Sequence, residues 1–197
     1  MAELLKCQKY FDQRISGETV FVLPGYHFIQ TDQAVPISTL LGSCVAACIR
    51  DTASGVGGLN HFLLPEKFDS SDDNQSSRYG VNAMEILIND LLKTGAHKNN
   101  LEAKIFGGAN VIQTSAMETV GTQNGNFVRN YLDVEGIPVL AEDLGGEYAR
   151  RVYFFPVSGR VSVLRILSTP EDDIKQAEIE MRKKAQAKQR AGAVELF

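Results

Sequence analysis

The sequence is poor in cysteine, histidine and tryptophan, and it lacks long apolar runs. Its 197 residues include three cysteines, three histidines and no tryptophan. The cysteines are odd in number and have no paired spacing, which argues against a disulfide scaffold and for a reducing compartment. No apolar run approaches the ~20 residues of a membrane-spanning helix, and the polar N-terminus has no signal-peptide pattern. We therefore expect a cytoplasmic protein that does not insert directly into a membrane.

Charge and composition narrow the class further. The formal net charge is −4 at pH 7, which argues against nucleic acid or an anionic membrane as the main partner. The apolar share of 44% and the charged share of 22% are ordinary for a soluble globular protein. A chain of this length is expected to form one domain with a substantial core.

Metal and nucleotide sites also lack support in the sequence. His27 and His97 have no metal-ligand spacing relative to the cysteines. The glycine pairs at 107–108 and 145–146 lack the lysine and acidic partners of phosphate-binding loops. Tight turns at strand ends are the better interpretation of these pairs, because glycine permits positive φ angles. We expect neither a metal nor a cofactor.

The pattern that carries chemistry is Gly42-Ser43-Cys44, followed seventeen residues later by His61. A cysteine becomes a strong nucleophile as its thiolate, and a nearby imidazole is the common means of generating one. Small residues before the cysteine allow a substrate carbonyl to approach the backbone, whose N–H groups can bind a developing oxyanion. Gly42 and Ser43 are therefore candidate oxyanion or substrate-binding residues at an acyl-transfer site.

The residues between the cysteine and the histidine predict an antiparallel hairpin with strands near 45–50 and 56–64. In the simplest register Cys44 lies directly opposite His61, with Cβ atoms about 4.5–5.5 Å apart. A slip of one residue would turn the two side chains to opposite faces of the sheet. The structural alternative is that Cys44 is a small buried apolar residue and His61 a hydrogen-bonded core histidine.

Apolar periodicity elsewhere predicts an α/β fold, a layered sandwich with a mixed, largely antiparallel β-sheet core in a single domain. Residues 1–18 are expected to form an N-terminal arm or short helix, 19–168 the main domain, and 169–197 a charged C-terminal helix or tail. A polar loop is expected at 66–77. The other expected elements are a strand over 19–30 interrupted at Pro24-Gly25, helices over 79–94 and 126–135, strands at 104–106 and 137–141, and a hairpin of 151–157 with 161–167.

Several motifs resemble, in order, those of the CheD family of chemoreceptor glutamine deamidases. The resemblance spans about residues 20–167. Separate motifs in the right order are harder to obtain by chance than one short pattern. The matching segments are Pro24-Gly25-Tyr26-His27, Ile37 to Val45, Gly58 to Pro65, Tyr79-Gly80, Ala103 to Ala109, Gly121 to Asn124, Asp143 to Gly146 with Arg150 or Arg151, and Ser158 to Val161.

The resemblance implies a set of catalytic residues. It makes Cys44 the nucleophile and His61 its catalytic partner. The family's third catalytic position, six residues before the cysteine, falls on Ser38, where the family has threonine. Thr39 follows it, and strand alternation allows only one of these two hydroxyls to face the site. By spacing we expect Ser38 to orient the imidazole.

The resemblance also implies an activity and partners. It predicts deamidation of glutamine side chains to glutamate on the cytoplasmic helical domain of chemoreceptors, without a cofactor. Two alternatives stay open. The protein could bind and activate a CheC-type phosphatase with little catalysis of its own, or it could be a Cys-His hydrolase that acts on another acyl substrate.

Overall fold

The computed structural model describes residues 7–31, 35–64, 73–110 and 119–166. These residues form two α-helices and ten strands in two five-stranded sheets, which confirms the predicted α/β fold. A short 3₁₀ turn covers Lys98–Asn100. The elements are β1 (Cys7–Asp12), β2 (Gly17–Val22), β3 (His27–Gln30), β4 (Ile37–Leu41), β5 (Val45–Asp51), β6 (Gly57–Asn60), α1 (Asp73–Lys93), β7 (Leu101–Gly107), α2 (Val120–Val134), β8 (Val139–Leu144), β9 (Ala149–Phe155) and β10 (Arg160–Ile166).

The two sheets are mixed and largely antiparallel. The first has the strand order β1-β2-β4-β9-β10, and the second has the order β3-β6-β5-β7-β8. Only the pairs β2–β4 and β7–β8 are parallel among the described strands. The strand predicted over 19–30 is divided at Pro24-Gly25, and its two parts, β2 and β3, belong to different sheets.

The sheets face each other, and the helices cover the outer face of the second sheet. Strand β5 shows the arrangement because successive side chains of a strand point to opposite faces. Its residues Ala46 and Cys48 pack with Val22 and Phe154 of the first sheet. The intervening residues, Val45, Ala47 and Ile49, pack in a second apolar cluster with side chains of α1 and α2. The strand that follows Cys44 is therefore buried on both faces.

Helix α1 begins at Asp73, earlier than the predicted start at Tyr79. Met84, Leu87 and Leu91 form the predicted apolar stripe and are fully buried. The helix ends at Lys93, one residue before the predicted end, and Gly95 follows it with a φ of 103°, which allows the left-handed C-terminal turn that was expected. No helix among the described residues is long and apolar enough to cross a membrane.

Helix α2 also begins earlier than predicted, at Val120 instead of residue 126. Its N-cap is Thr119, whose side-chain oxygen accepts a hydrogen bond from the backbone N–H of Thr122 at 3.2 Å. Gly121 and Gly125 lie in its first two turns, and glycine has a low helix propensity. Composition therefore placed the predicted start too late.

The expectation of an N-terminal arm or short helix is wrong for residues 7–18, because β1 pairs along its whole length with β2. Asp12, at the end of β1, is buried and accepts a hydrogen bond from the Tyr153 hydroxyl of β9 at 2.7 Å. Burial opposes ionisation of Asp12, but hydrogen bonds from Tyr153, the Arg14 backbone and Tyr10 lower its pKa to about 2. This carboxylate ties the first hairpin to the body of the sheet.

Other predictions fall outside or partly outside the described residues. The predicted C-terminal helix or tail over 169–197 and residues 1–6 lie outside them. The predicted polar loop over 66–77 is shorter than expected, since α1 already includes residues 73–77. Its remaining residues, 66–72, lie outside the described part of the chain.

Candidate active site

The hairpin that carries Cys44 and His61 has a different register from the simplest one. Val45 pairs with Phe62, and their two backbone hydrogen bonds are each 3.0 Å long. In this register Cys44 lies diagonally from His61 and not directly opposite it, so that prediction is wrong. The shift does not change the face, because diagonal neighbours in a ladder point to the same side. Both side chains face the first sheet: Cys44 packs with Ile37, and His61 contacts Thr39.

A chain of hydrogen bonds orients the His61 imidazole. Thr39 Oγ1 lies 2.7 Å from His61 Nδ1 and donates its hydroxyl proton to the carbonyl of Val22 at 2.9 Å. Since that proton is used on Val22, Nδ1 must carry the hydrogen and donate it to Thr39. The neutral imidazole therefore has its lone pair on Nε2. This atom is buried and has no hydrogen-bond partner among the described residues.

Burial keeps the imidazole neutral. Both Cys44 and His61 are only 1% exposed. Loss of solvation lowers the pKa of His61 to about 4, and the Val22 carbonyl opposes this shift only in part. At neutral pH the resting site therefore holds a neutral imidazole whose Nε2 can accept a proton, as a general base requires.

The expectation that Ser38 orients the imidazole is wrong, because Thr39 makes that contact. Neighbouring residues of β4 point to opposite faces of the sheet. Ser38 Oγ accepts a hydrogen bond from Thr19 Oγ1 at 3.0 Å, on the face away from His61.

The loop before β5 is held by its carbonyl groups. The carbonyls of Gly42, Ser43 and Cys44 each accept a hydrogen bond from the segment between β7 and α2 or from α2 itself. The N–H groups of a trans peptide point opposite to its carbonyl. The N–H groups of Ser43 and Cys44 therefore point away from those donors. The Gly42 carbonyl accepts from the Ala109 N–H at 2.8 Å, and the Cys44 carbonyl accepts from the Gly108 N–H at 2.7 Å. The Ser43 carbonyl accepts from the side-chain amide of Asn124 at 2.8 Å.

Glycines allow these close backbone contacts. Gly107 has a φ of 109°, and a Cβ atom there would collide with the carbonyl oxygen of Cys44. A Cβ atom on Gly121, in the first turn of α2, would collide with the carbonyl oxygen of Gly108. The predicted tight turns at the glycine pairs are confirmed by their positive φ angles. Their contact with the cysteine loop was not predicted, since it depends on how β7 and α2 pack.

A second glycine turn supports the first. The N–H of Gly145 donates to the carbonyl of Gly107 at 2.9 Å, and the N–H of Asn110 donates to the carbonyl of Gly146 at 2.7 Å. The turn is held by Arg150, whose buried guanidinium donates to the Gly145 carbonyl at 2.6 Å and to Asp143 at 2.7 Å. The hydrogen bond from Arg150 also lowers the pKa of Asp143.

The β2–β3 turn and α1 enclose the His61 side of the site. The N–H of Gly25 donates to the His61 carbonyl at 2.7 Å, and the His61 N–H donates to the Tyr26 carbonyl at 2.9 Å. The Tyr79 hydroxyl of α1 lies 3.5 Å from where a Cβ atom on Gly25 would be. Burial raises the pKa of the Tyr79 phenol, and negative charge on Cys44 adds to the same shift.

The remaining candidate ligands are separate from this site. Cys48 is buried between the two sheets, where loss of solvation raises the pKa of its thiol and favours an unreactive form. Among the described residues, no group of three or more histidine, cysteine, aspartate or glutamate side chains could hold a metal ion.

Known proteins resemble this chain over most of its length. A family model described as CheD, chemotactic sensory transduction, matches residues 63–165. A Methylobacillus flagellatus protein named "Probable chemoreceptor glutamine deamidase CheD" is 47% identical over 99% of this chain and 97% of its own length. A protein of the same name from Bordetella petrii is 52% identical over 80% of this chain and 70% of its own length. Another from Xanthomonas campestris pv. campestris is 46% identical over 96% of this chain and 94% of its own length. The chain therefore belongs to the CheD family.

Proposed function

We propose that this protein is a chemoreceptor glutamine deamidase, which hydrolyses glutamine side chains to glutamate. The observation that carries the chemistry is the hydrogen-bond chain from His61 through Thr39 to Val22. It leaves Nε2 as the basic nitrogen on the face that Cys44 shares. The names of the relatives supply the substrate class. In this proposal Thr39 takes the orienting role that the sequence assigned to Ser38.

The first half of the reaction forms a thioester. His61 Nε2 accepts the Cys44 thiol proton as the sulfur attacks the carboxamide carbon of glutamine. Charge develops on the amide oxygen, where N–H groups of the Gly42–Cys44 loop can stabilise it. The C–N bond then breaks, and the proton held by His61 leaves with the nitrogen as ammonia.

The second half restores the enzyme. His61 Nε2 removes a proton from a water molecule that attacks the γ-glutamyl thioester carbon. The C–S bond breaks, the sulfur regains a proton from the imidazole, and the product is a glutamate side chain. The overall change consumes one water and releases one ammonia, which takes the proton of the new carboxylic acid to become ammonium, so the substrate gains one negative charge.

The added charge gives the reaction a regulatory consequence. Each new carboxylate changes charge repulsion within a helical bundle and so biases its conformational equilibrium. We infer that the modified glutamines lie in the cytoplasmic helical domain of the receptor and that the enzyme acts in the cytoplasm. Binding to a CheC-type phosphatase is a further prediction of the family resemblance.

Incubation of the protein with a receptor cytoplasmic fragment tests the proposal. Peptide mass spectrometry should find glutamine converted to glutamate, with ammonia released in equal amount. Cys44→Ala should abolish both signals, whereas Cys48→Ala, which alters another buried cysteine, should retain them. Peptide-bond cleavage instead of deamidation would indicate a different hydrolase. Unchanged activity of folded Cys44→Ala would reject the nucleophile.

A further inference from the structure

Side-chain amides replace backbone hydrogen-bond partners on both sides of the Val45–Phe62 pair. In an antiparallel ladder, hydrogen-bonded pairs recur every second residue. The next such pairs would be Ala47 with Asn60 and Ser43 with Leu64. At the first position, the Ala47 N–H donates to the side-chain oxygen of Asn60 at 2.9 Å and not to its backbone carbonyl.

At the second position the amide of Asn124 replaces the direct backbone bond. The Leu64 N–H donates to Asn124 Oδ1 at 2.8 Å, and Asn124 Nδ2 donates to the Ser43 carbonyl at 2.8 Å. The inserted amide spaces the two strands at the point where Cys44 begins to leave the ladder. Both hydrogen bonds are buried, and Asn124 itself has no exposed surface.

The insertion needs a side chain that both donates and accepts. The two partners fix the orientation of the Asn124 amide, since the Leu64 N–H can only donate a hydrogen bond and the Ser43 carbonyl can only accept one. Aspartate has the same shape, but its ionised form would place an oxygen against the Ser43 carbonyl. An aliphatic side chain would leave both backbone groups buried without partners.

Asn124 is also rigidly placed. Its helix, α2, approaches the 107–109 segment so closely that a Cβ on Gly121 would strike two backbone carbonyls there. That same segment donates to the carbonyls of Gly42 and Cys44. The amide therefore reaches the hairpin from a helix whose position is already coupled to the cysteine loop.

We propose that Asn124 is a positioning residue that sets the separation and orientation of Cys44 relative to His61. It acts through its hydrogen bonds to the Ser43 carbonyl and the Leu64 N–H. As an account of how the nucleophile is placed for deamidation, it rests on the proposed function. Displacement of reacting groups by about 1 Å can cost on the order of 10²-fold in rate. Loss of the Asn124 amide should therefore greatly reduce the rate of deamidation.

The test uses Asn124→Asp, whose fit depends on protonation. Burial and the Ser43 carbonyl disfavour the carboxylate, so its pKa should be raised. The protonated acid can donate to Ser43 and accept from Leu64, as asparagine does. The rate of deamidation should therefore fall on the order of 10²-fold at pH 8. The ratio of variant to parent rate should then rise several-fold as the pH is lowered to 6.

Two comparison variants separate positioning from a general loss of stability. Asn124→Ala has no titrating group, so its rate ratio to the parent should be low and independent of pH. Asn130→Asp places the same charge change on an exposed residue of α2 and should behave like the parent. Thermal unfolding at each pH establishes that every variant is folded at the assay temperature.

Alkylation of Cys44 by iodoacetamide, followed by peptide mass spectrometry, gives a readout that needs no receptor. The Asn124→Asp to parent ratio of alkylation rates should show the same rise toward pH 6. If the parent does not deamidate receptor but this trend is present, the proposed function fails and the positioning role stands. Ratios that are flat with pH in both assays, or a parent-like Asn124→Asp at pH 8, would overturn the role of Asn124.

Discussion

The two nitrogens of His61 have different environments, and this difference defines the site at the scale of single residues. Nδ1 donates to a hydroxyl whose own proton is committed to a carbonyl, while Nε2 keeps a free lone pair in a buried setting. In the proposed mechanism this is an oriented base beside a nucleophile, with threonine in place of the carboxylate of a catalytic triad. A neutral partner suits this site because burial already keeps the imidazole uncharged.

Removal of the Thr39 hydroxyl should leave the His61 imidazole without the group that orients it. Thr39→Val keeps the shape but leaves Nδ1 without its acceptor, so kcat for deamidation should fall on the order of 10²-fold. Ser38→Ala should leave kcat within a small factor of the parent, because Ser38 bonds to Thr19 on the other face. Steady-state ammonia release measures both, and a larger loss in Ser38→Ala than in Thr39→Val would contradict the assignment.

The pKa of His61 should make stability depend on pH. The folded-state pKa is about 4 against an ordinary value of 6.5, so below pH 6.5 the unfolded chain binds a proton that the folded protein does not. The free energy of unfolding should therefore decrease as the pH falls from 6.5 to 4, by on the order of 3 kcal/mol, and stay level above that window. Urea unfolding at several pH values measures it. His61→Gln should lose this slope, and a slope equal to the parent's would contradict the low pKa.

At the scale of elements, the site is a loop clamped between a sheet and a helix. The cysteine loop is held by glycine-rich backbone from β7 and by α2, and the 145–146 turn supports that backbone in turn. Backbone carbonyls can approach this closely only where no Cβ intervenes. Glycines of this chain thus allow close contact between elements as well as tight turns.

Comparison of Gly107→Ala with Gly136→Ala separates the effect of the close contact with Cys44 from the cost of a positive φ angle in alanine. Gly136 also has a positive φ, of 69°, but a Cβ there would meet nothing within 4 Å. Gly136→Ala should cost about 1–2 kcal/mol of stability and leave kcat unchanged. Gly107→Ala should lower stability further and reduce kcat, because its Cβ would displace the Cys44 carbonyl. Thermal unfolding and ammonia release compare the two, and a parent-like kcat in Gly107→Ala would refute the clamp.

At the scale of the whole molecule, two facing sheets share one core, and the N-terminal hairpin is part of it. The Tyr153–Asp12 hydrogen bond links β9 to β1 across 141 residues of sequence. The buried Asp12 carboxylate is stabilised by hydrogen bonds to the extent that its pKa falls to about 2. The first hairpin therefore belongs to the folding unit of the enzyme.

Tyr153→Phe should weaken the whole fold without altering the chemistry. It removes one hydrogen bond to a buried carboxylate, which contributes about 1.5–3 kcal/mol. The midpoint of urea unfolding should fall with little change in its slope, and kcat should stay near the parent value. Loss of activity in the folded variant, or an unchanged midpoint, would contradict this description of the hairpin.

Local sequence determined the features that depend on neighbouring residues. The apolar stripe of α1, the turn at Gly95 that closes it and the hairpin that carries Cys44 and His61 each follow from spacing within about twenty residues. Helix propensity and turn chemistry act over that range. The strand at Cys7–Asp12 was missed although its partner β2 is close in sequence, and the hydrogen bond that holds its last residue, Asp12, comes from Tyr153, 141 residues away.

Only the tertiary structure decided which hydroxyl meets His61 and how the strands that carry Cys44 and His61 are spaced. Ser38 and Thr39 are both fully buried, so the alternation that usually marks an inner and an outer face is absent from β4. The choice depends on which sheet packs against each face. Likewise, Asn124 reaches Ser43 across 81 residues of sequence. No local pattern encodes such contacts, because they arise when separate layers pack together.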